Sequence, residues 1–154
     1  MDTKQWELIR RCAAGEDVGR VPVALIVDSP WIPGYLGIST LDYLMVPEVW
    51  LATNLEVVRR FPGVIFLPGF WVEMGMLAEP SAFGCRLSFY HDRTPVAHVL
   101  GEYIGTYAGL GVPDPRVDGL MPVILNQYRR MRPRVRDAER VRESGRRCVR
   151  EHVG

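Results

Sequence analysis

The sequence predicts an α/β fold built on parallel strands, and three observations predict it. Two apolar runs, Val21-Pro22-Val23-Ala24-Leu25-Ile26-Val27 and Val64-Ile65-Phe66-Leu67, are continuous rather than alternating, the pattern of strands buried on both faces. Between them lies a segment of helical periodicity, long enough to cross from one strand to a parallel neighbour. Each run then breaks into a loop that mixes proline, glycine and large aromatics, and α/β proteins place their chemistry at such strand ends.

The elements follow in order. Asp2 or Thr3 can cap a first helix in which Trp6, Ile9 and Ala13 share one face, Arg10-Arg11 point outward and Gly15 is the stop. The first strand, 21–27, empties into Asp28-Ser29-Pro30-Trp31-Ile32-Pro33-Gly34-Tyr35, a pocket-loop composition. Ser39 and Asp42 have capping-box spacing for a short helix, and Pro47-Glu48 opens a longer one to Arg60. Trp50, Asn54, Val57 and Phe61 form its core-facing stripe, with Leu51, Leu55 and Val58 beside it. Pro62-Gly63 ends it before the second strand, so residues 21–67 make one strand, helix, strand unit. Segments 86–90 and 95–100 flank His91-Asp92-Arg93-Thr94 as the arms of a hairpin. A Gly/Pro-rich connector covers 101–115, and Leu120, Ile124, Gln127 or Tyr128, and Met131 then give helical spacing, with Pro133 as the first turn of a further helix or a kink.

Composition sets the class. At 154 residues, 47% hydrophobic and 24% charged, the chain is in the ordinary range for one globular domain. Its net charge of +1 conceals an asymmetry: residues 1–128 are net −5 and residues 129–154 net +6. Cys12, Cys85 and Cys148 are odd in number with no CxxC pair, which argues against a disulfide framework or zinc ribbon and for a reducing compartment. No run approaches the ~18 apolar residues of a membrane span, and the amino terminus has no signal-like pattern. A cytoplasmic location with no membrane partner is the expectation.

Asp28, ending the first strand, and Glu73, six residues past the second, stand where an acid or base would be presented. Either one alone reads more readily as a loop-capping or solvated carboxylate, and the two together mark a pocket. Trp31, Tyr35, Phe70 and Trp71 read equally as an apolar wall for a flat ligand or as ordinary core. His91 and His98 have no zinc-type neighbours, so no metal is expected within the chain. Cys85 with His91 lacks a third orienting group and reads as a buried thiol. The arginines of 129–150 are interspersed with Asp137, Glu139 and Glu143 and lack interleaved aromatics, which favours a solvated or partner-facing helix and no nucleic acid.

Taken in order, Gly15-Glu16-Asp17-Val18-Gly19-Arg20-Val21-Pro22-Val23, Ser29-Pro30-Trp31-Ile32-Pro33-Gly34-Tyr35, Phe66-Leu67-Pro68-Gly69-Phe70-Trp71 and Glu79-Pro80-Ser81-Ala82-Phe83-Gly84-Cys85 resemble the uroporphyrinogen decarboxylase superfamily over about residues 4–144. The resemblance implies a (β/α)8 TIM-type barrel, of which 1–144 would supply the first few βα units and 145–154 a divergent tail. It implies tetrapyrrole decarboxylation or, in another branch, cobamide-dependent methyl transfer. The family's decarboxylases carry an arginine pair after the first strand and an aspartate after the second; Val27 to Pro33 has no arginine and Leu67-Pro68-Gly69 no charge. The methyltransferase-like branch therefore fits better. That branch uses zinc held by the second half of its barrel, so zinc and a cobamide belong to a full-length parent and no cofactor to this chain.

A barrel of about 250 residues would make this a truncated, inactive fragment, a frameshift being easy to miss in a chain with 18 arginines and one lysine. Its small-molecule substrate would belong to the parent enzyme, and an exposed sheet edge would invite self-association. The competing expectation is a non-enzymatic binding or assembly module whose basic C-terminal helix docks an acidic partner.

Overall fold

The computed structural model describes residues 3–27, 30–67 and 69–151, with side chains to residue 138. Asp28 and the candidate helix cap Asp2 lie outside the described residues, and so do the side chains of Cys148, Glu139 and Glu143.

Helix α1 (Thr3–Ala13) precedes strand β1 (Ala24–Ile26). Then come α2 (Trp31–Leu36), α3 (Thr40–Met45), α4 (Pro47–Arg60) and β2 (Ile65–Leu67). The second part holds α5 (Ala78–Ala82), β3 (Leu87–Ser88), β4 (Val96–Ala97), a 3-10 turn at Ile104–Thr106 and the long α6 (Met121–Glu151). β1 pairs in parallel with β2, in the register Ala24 with Ile65, Leu25 with Phe66 and Ile26 with Leu67. The strand, helix, strand unit read from residues 21–67 is therefore present, with three helices rather than two in its crossover.

Local chemistry explains that crossover. Ser39 caps α3 by accepting the Asp42 N–H at 3.2 Å. Pro47 opens α4 where its missing N–H costs nothing. The predicted stripe of α4 faces inward: Trp50, Leu51, Asn54 and Val57 are buried. Asn54 is satisfied there, donating to the Tyr43 hydroxyl at 3.1 Å and to the Trp50 carbonyl at 2.8 Å. The core joins these residues to Ile32, Tyr43 and Leu44 of the crossover, Phe66 of β2, Val72, Met74 and Leu77 beyond it, and Met131 of α6.

The partial (β/α)8 barrel is not what the chain forms. Among the described residues there are two sheets of two strands each, one parallel and one antiparallel, and helix predominates. After β2 the chain does not start another βα unit. It forms the one-turn α5 and then the antiparallel hairpin β3–β4, with Leu87 opposite Ala97 and Ser88 opposite Val96. The connection from Phe89 to Pro95 is shorter than the roughly dozen residues a parallel crossover needs, so these arms can pair only antiparallel. That hairpin is the one expected from the sequence.

Three further expectations are corrected. The first strand is shorter than 21–27 and is not buried on both faces, since all three residues of β1 are exposed. Helix α1 buries none of its residues, and Trp6 stays half exposed. Of the two readings of Pro133, the start of a further helix is not what forms, because α6 runs through it.

Candidate functional site

The carboxyl ends of β1 and β2 lie side by side because the strands are parallel and in register. The segments that leave them are built differently.

The first helix described after β1 is α2, whose first residue is Trp31. Trp31 and Tyr35, four apart on that helix, stack face to face with ring centroids 5.1 Å apart and planes 3° from parallel. Phe61 at the end of α4 packs against both at 6.3 and 5.6 Å and meets Phe66 of β2 edge-on at 6.4 Å. The Arg60 guanidinium lies 5.5 Å from the Tyr35 ring centroid. Trp31 and Tyr35 keep 41% and 43% of their surface, so this aromatic shelf is open to solvent on one side.

After β2 the loop 69–76 is tightly held. Gly69 and Phe70 are both left-handed, with φ of 68° and 54°, and Gly75 and Met76 repeat this at 59° and 63°. For Phe70 and Met76 that conformation costs roughly 1–2 kcal/mol each and persists only where surroundings impose it. Here they do. The Trp50 indole N–H of α4 donates to the Trp71 carbonyl at 3.1 Å, and the Phe70 ring meets Trp50 edge-on at 6.1 Å. From the other side the Tyr128 hydroxyl of α6 accepts the Val72 N–H at 3.1 Å and donates to the Val72 carbonyl at 3.5 Å. Pro95 of the hairpin turn sits where a side chain at Gly75 would go, 2.6 Å from an ideal Cβ. Glu73 is buried in this loop and engaged by its surroundings.

The residues read from the sequence as one wall thus divide into two groups. Trp31 and Tyr35 stack on each other and on Phe61, while Phe70 packs on Trp50 and Trp71 contributes its backbone to the same residue. Set against protein-family models, curated proteins and solved structures, the chain matches none.

The hairpin holds a pair that sequence reading missed. The Ser88 hydroxyl lies 2.8 Å from His98 Nε2, the separation of a nucleophile and its base. Arg86 approaches His98 Nδ1 at 3.2 Å, and a guanidinium can only donate. Nδ1 is then the acceptor, Nε2 carries the proton, and His98 donates to Ser88 instead of drawing its proton away. The network ties the two arms together and does not activate the serine. The signal that could have found it is the antiparallel register, which sets positions 88 and 96–98 side by side.

His91 does not approach Cys85 as a base would. Its Nδ1 lies 2.6 Å from Asp92, which holds the imidazole above its ordinary pKa through the hydrogen bond first and the charge second. The His91 carbonyl accepts from the Ser39 hydroxyl and the Leu41 N–H, docking the hairpin turn on the start of α3. No group of three or more His, Cys, Asp or Glu is gathered as a metal site among the described residues. No described helix is long and apolar enough to cross a membrane.

Proposed function

We propose that this chain is the substrate-binding portion of an enzyme of the uroporphyrinogen decarboxylase superfamily, whose parent activity is methyl transfer to or from a small molecule in the cytoplasm. The observation that carries the reading is the pairing, at one sheet end, of an open Trp31–Tyr35 shelf with a loop held in left-handed conformations by Trp50 and Tyr128. Backbone strain imposed from two sides at strand ends is what pre-organised ligand sites use. Two of the four sequence runs that resemble the superfamily, 29–35 and 66–71, fall on these same segments. The proposal asks nothing of a barrel and routes no step through zinc or a cobamide.

In this reading Trp31 and Tyr35 offer a flat apolar face, Phe70 and Trp71 shape the second loop, and Asp28 and Glu73 are the polar anchors that orient the ligand. The chain binds and orients, and does not by itself complete a transfer. Methyl transfer is preferred over tetrapyrrole decarboxylation because the loop from Val27 to Pro33 offers no arginine to hold carboxylates.

Titrating the protein with an O-methylated aromatic, a methylated thiol and a porphyrin, followed by calorimetry, tests this. Binding of a methylated probe that Trp31→Ala and Trp71→Ala weaken more than His91→Ala is the expected result. Equal losses at all three positions, or preference for the porphyrin, would count against it.

A further inference from the structure

A second concavity lies away from the strand ends. It is a groove of about 570 Å³ between α5 with its following turn and the connector that ends at Pro113. None of the strand-end residues lines it. Its walls are almost wholly apolar, with Pro80 and Phe83 on one side and Leu100, Tyr107 and Leu110 on the other. The polar tip of Tyr107 is already committed, its hydroxyl donating to the Gly101 carbonyl at 3.1 Å, so the residue offers the groove its ring. The lining contains one acid, Glu79, and no lysine, arginine or histidine.

Glu79 gives the groove its charge preference. Elsewhere on the molecule several carboxylates are ion-paired: Glu7 with Arg10, Glu16 with Arg11, Glu48 with Arg134 and Glu56 with Arg59 and Arg60. The Glu79 carboxylate has no ion-pair or hydrogen-bond partner among the described residues. Glu79 is exposed at the groove, and an unpaired negative charge beside apolar walls favours a cation there over an anion. Two aromatic side chains, Phe83 and Tyr107, line the same groove, and aromatic rings attract cations placed over their faces.

From this combination we infer that the groove binds a small organic cation with an apolar body, of the alkylated ammonium class. The apolar walls take up the alkyl or aryl body, the Phe83 and Tyr107 rings face the diffuse charge of the methylated nitrogen, and Glu79 neutralises it. Such a cation needs no hydrogen-bond acceptor aimed at it, which suits walls that offer almost none. An anion of the same shape is repelled by Glu79, and a neutral one gains the apolar contacts alone. Cys85 lines the same groove and supplies an independent reporter, because an occupant shields its thiol.

The test uses the full chain with benzyltrimethylammonium as the probe, 4-tert-butylbenzyl alcohol as its neutral counterpart and 4-tert-butylbenzoate as the anion. The expected result is saturable calorimetric binding of the cation at least about tenfold tighter than of the alcohol, and no binding of the benzoate. Glu79→Gln, which keeps the shape, should reduce the cation's affinity to that of the alcohol while leaving the alcohol unchanged, in a protein that melts as the parent does. In a Cys12→Ser/Cys148→Ser background, the cation should slow maleimide labelling of Cys85, and Glu79→Gln should abolish the protection. Equal affinity for cation and alcohol, an unaltered cation affinity in Glu79→Gln, unprotected Cys85, or no binding at all would each overturn the proposal. These outcomes read on the groove alone, since the strand-end site is probed by different ligands and by Trp31→Ala.

Discussion

β1 and β2 are paired in parallel, each three residues long, both wholly apolar, yet their surroundings are opposite. Ile65 and Phe66 of β2 are buried, whereas all of β1 is exposed, Ile26 at 73%. The segments after them continue the contrast: the loop after β2 is pinned by α4 and α6, and the helix after β1 leaves its aromatic stack half open. What separates them is not their own hydrophobicity but what the chain packs on them. α4, α6 and the hairpin turn converge on the β2 side, while among the described residues β1 receives no comparable cover and α1, which reaches Val64 through Gln5, buries no residue of its own. A continuous apolar run specifies a strand, and burial is conferred by the elements laid over it.

The contrast can be broken most forcefully in the core on the β2 side. Trp50→Ala removes a side chain that is 2% exposed, the Trp71 hydrogen bond and the edge contact with Phe70, and should cost about 3–5 kcal/mol in chemical denaturation. The paired substitution Ile65→Ala against Ile26→Ala sharpens it: about 2–5 kcal/mol is expected at the buried position and less than about 0.5 kcal/mol at the exposed one.

The pinned loop comes next. Gly75→Ala forces a Cβ into a left-handed residue and against Pro95, and should cost roughly 1–3 kcal/mol, lowering the melting temperature accordingly. Tyr128→Phe deletes the hydroxyl that holds both polar groups of Val72, a loss of about 1 kcal/mol in the same assay.

The smallest effect is electrostatic and lies at the hairpin turn. The His91 pKa is raised by Asp92, so the pair's contribution is fully present below the imidazole's ordinary value of 6.5 and is lost as pH rises through the folded value. The melting temperature should therefore drop slightly on going from acidic to mildly alkaline pH, and Asp92→Asn should flatten that part of the profile. The turn is solvent-exposed, which keeps the change small.

Local signals carried much of this fold. Capping chemistry placed α3 at Ser39, proline placed the start of α4, and the Trp50, Asn54, Val57 stripe named its buried face correctly. The parallel pair and the later hairpin were legible as well. What was not legible depended on distant packing. The exposure of β1 reflects the absence, among the described residues, of a helix packed over it, and the continuation of α6 through Pro133 overrides a local helix-breaking signal. At the candidate site, the segment read as a pocket loop forms helix α2 despite Pro33 and Gly34, and that helix is what stacks Trp31 on Tyr35, while the separation of Phe70 and Trp71 from them is set by Trp50, which reads in the sequence only as a core position.

Hydrogen–deuterium exchange of the whole chain, read on peptides covering 65–76 and 21–27, most directly tests the claim that the strand-end site is organised from the β2 side. The structure predicts slow exchange for 65–76, including the Val72 amide, and fast exchange over 21–27, with Tyr128→Phe accelerating the first and leaving the second unchanged. Equal protection of the two segments, or greater protection over 21–27, would contradict it.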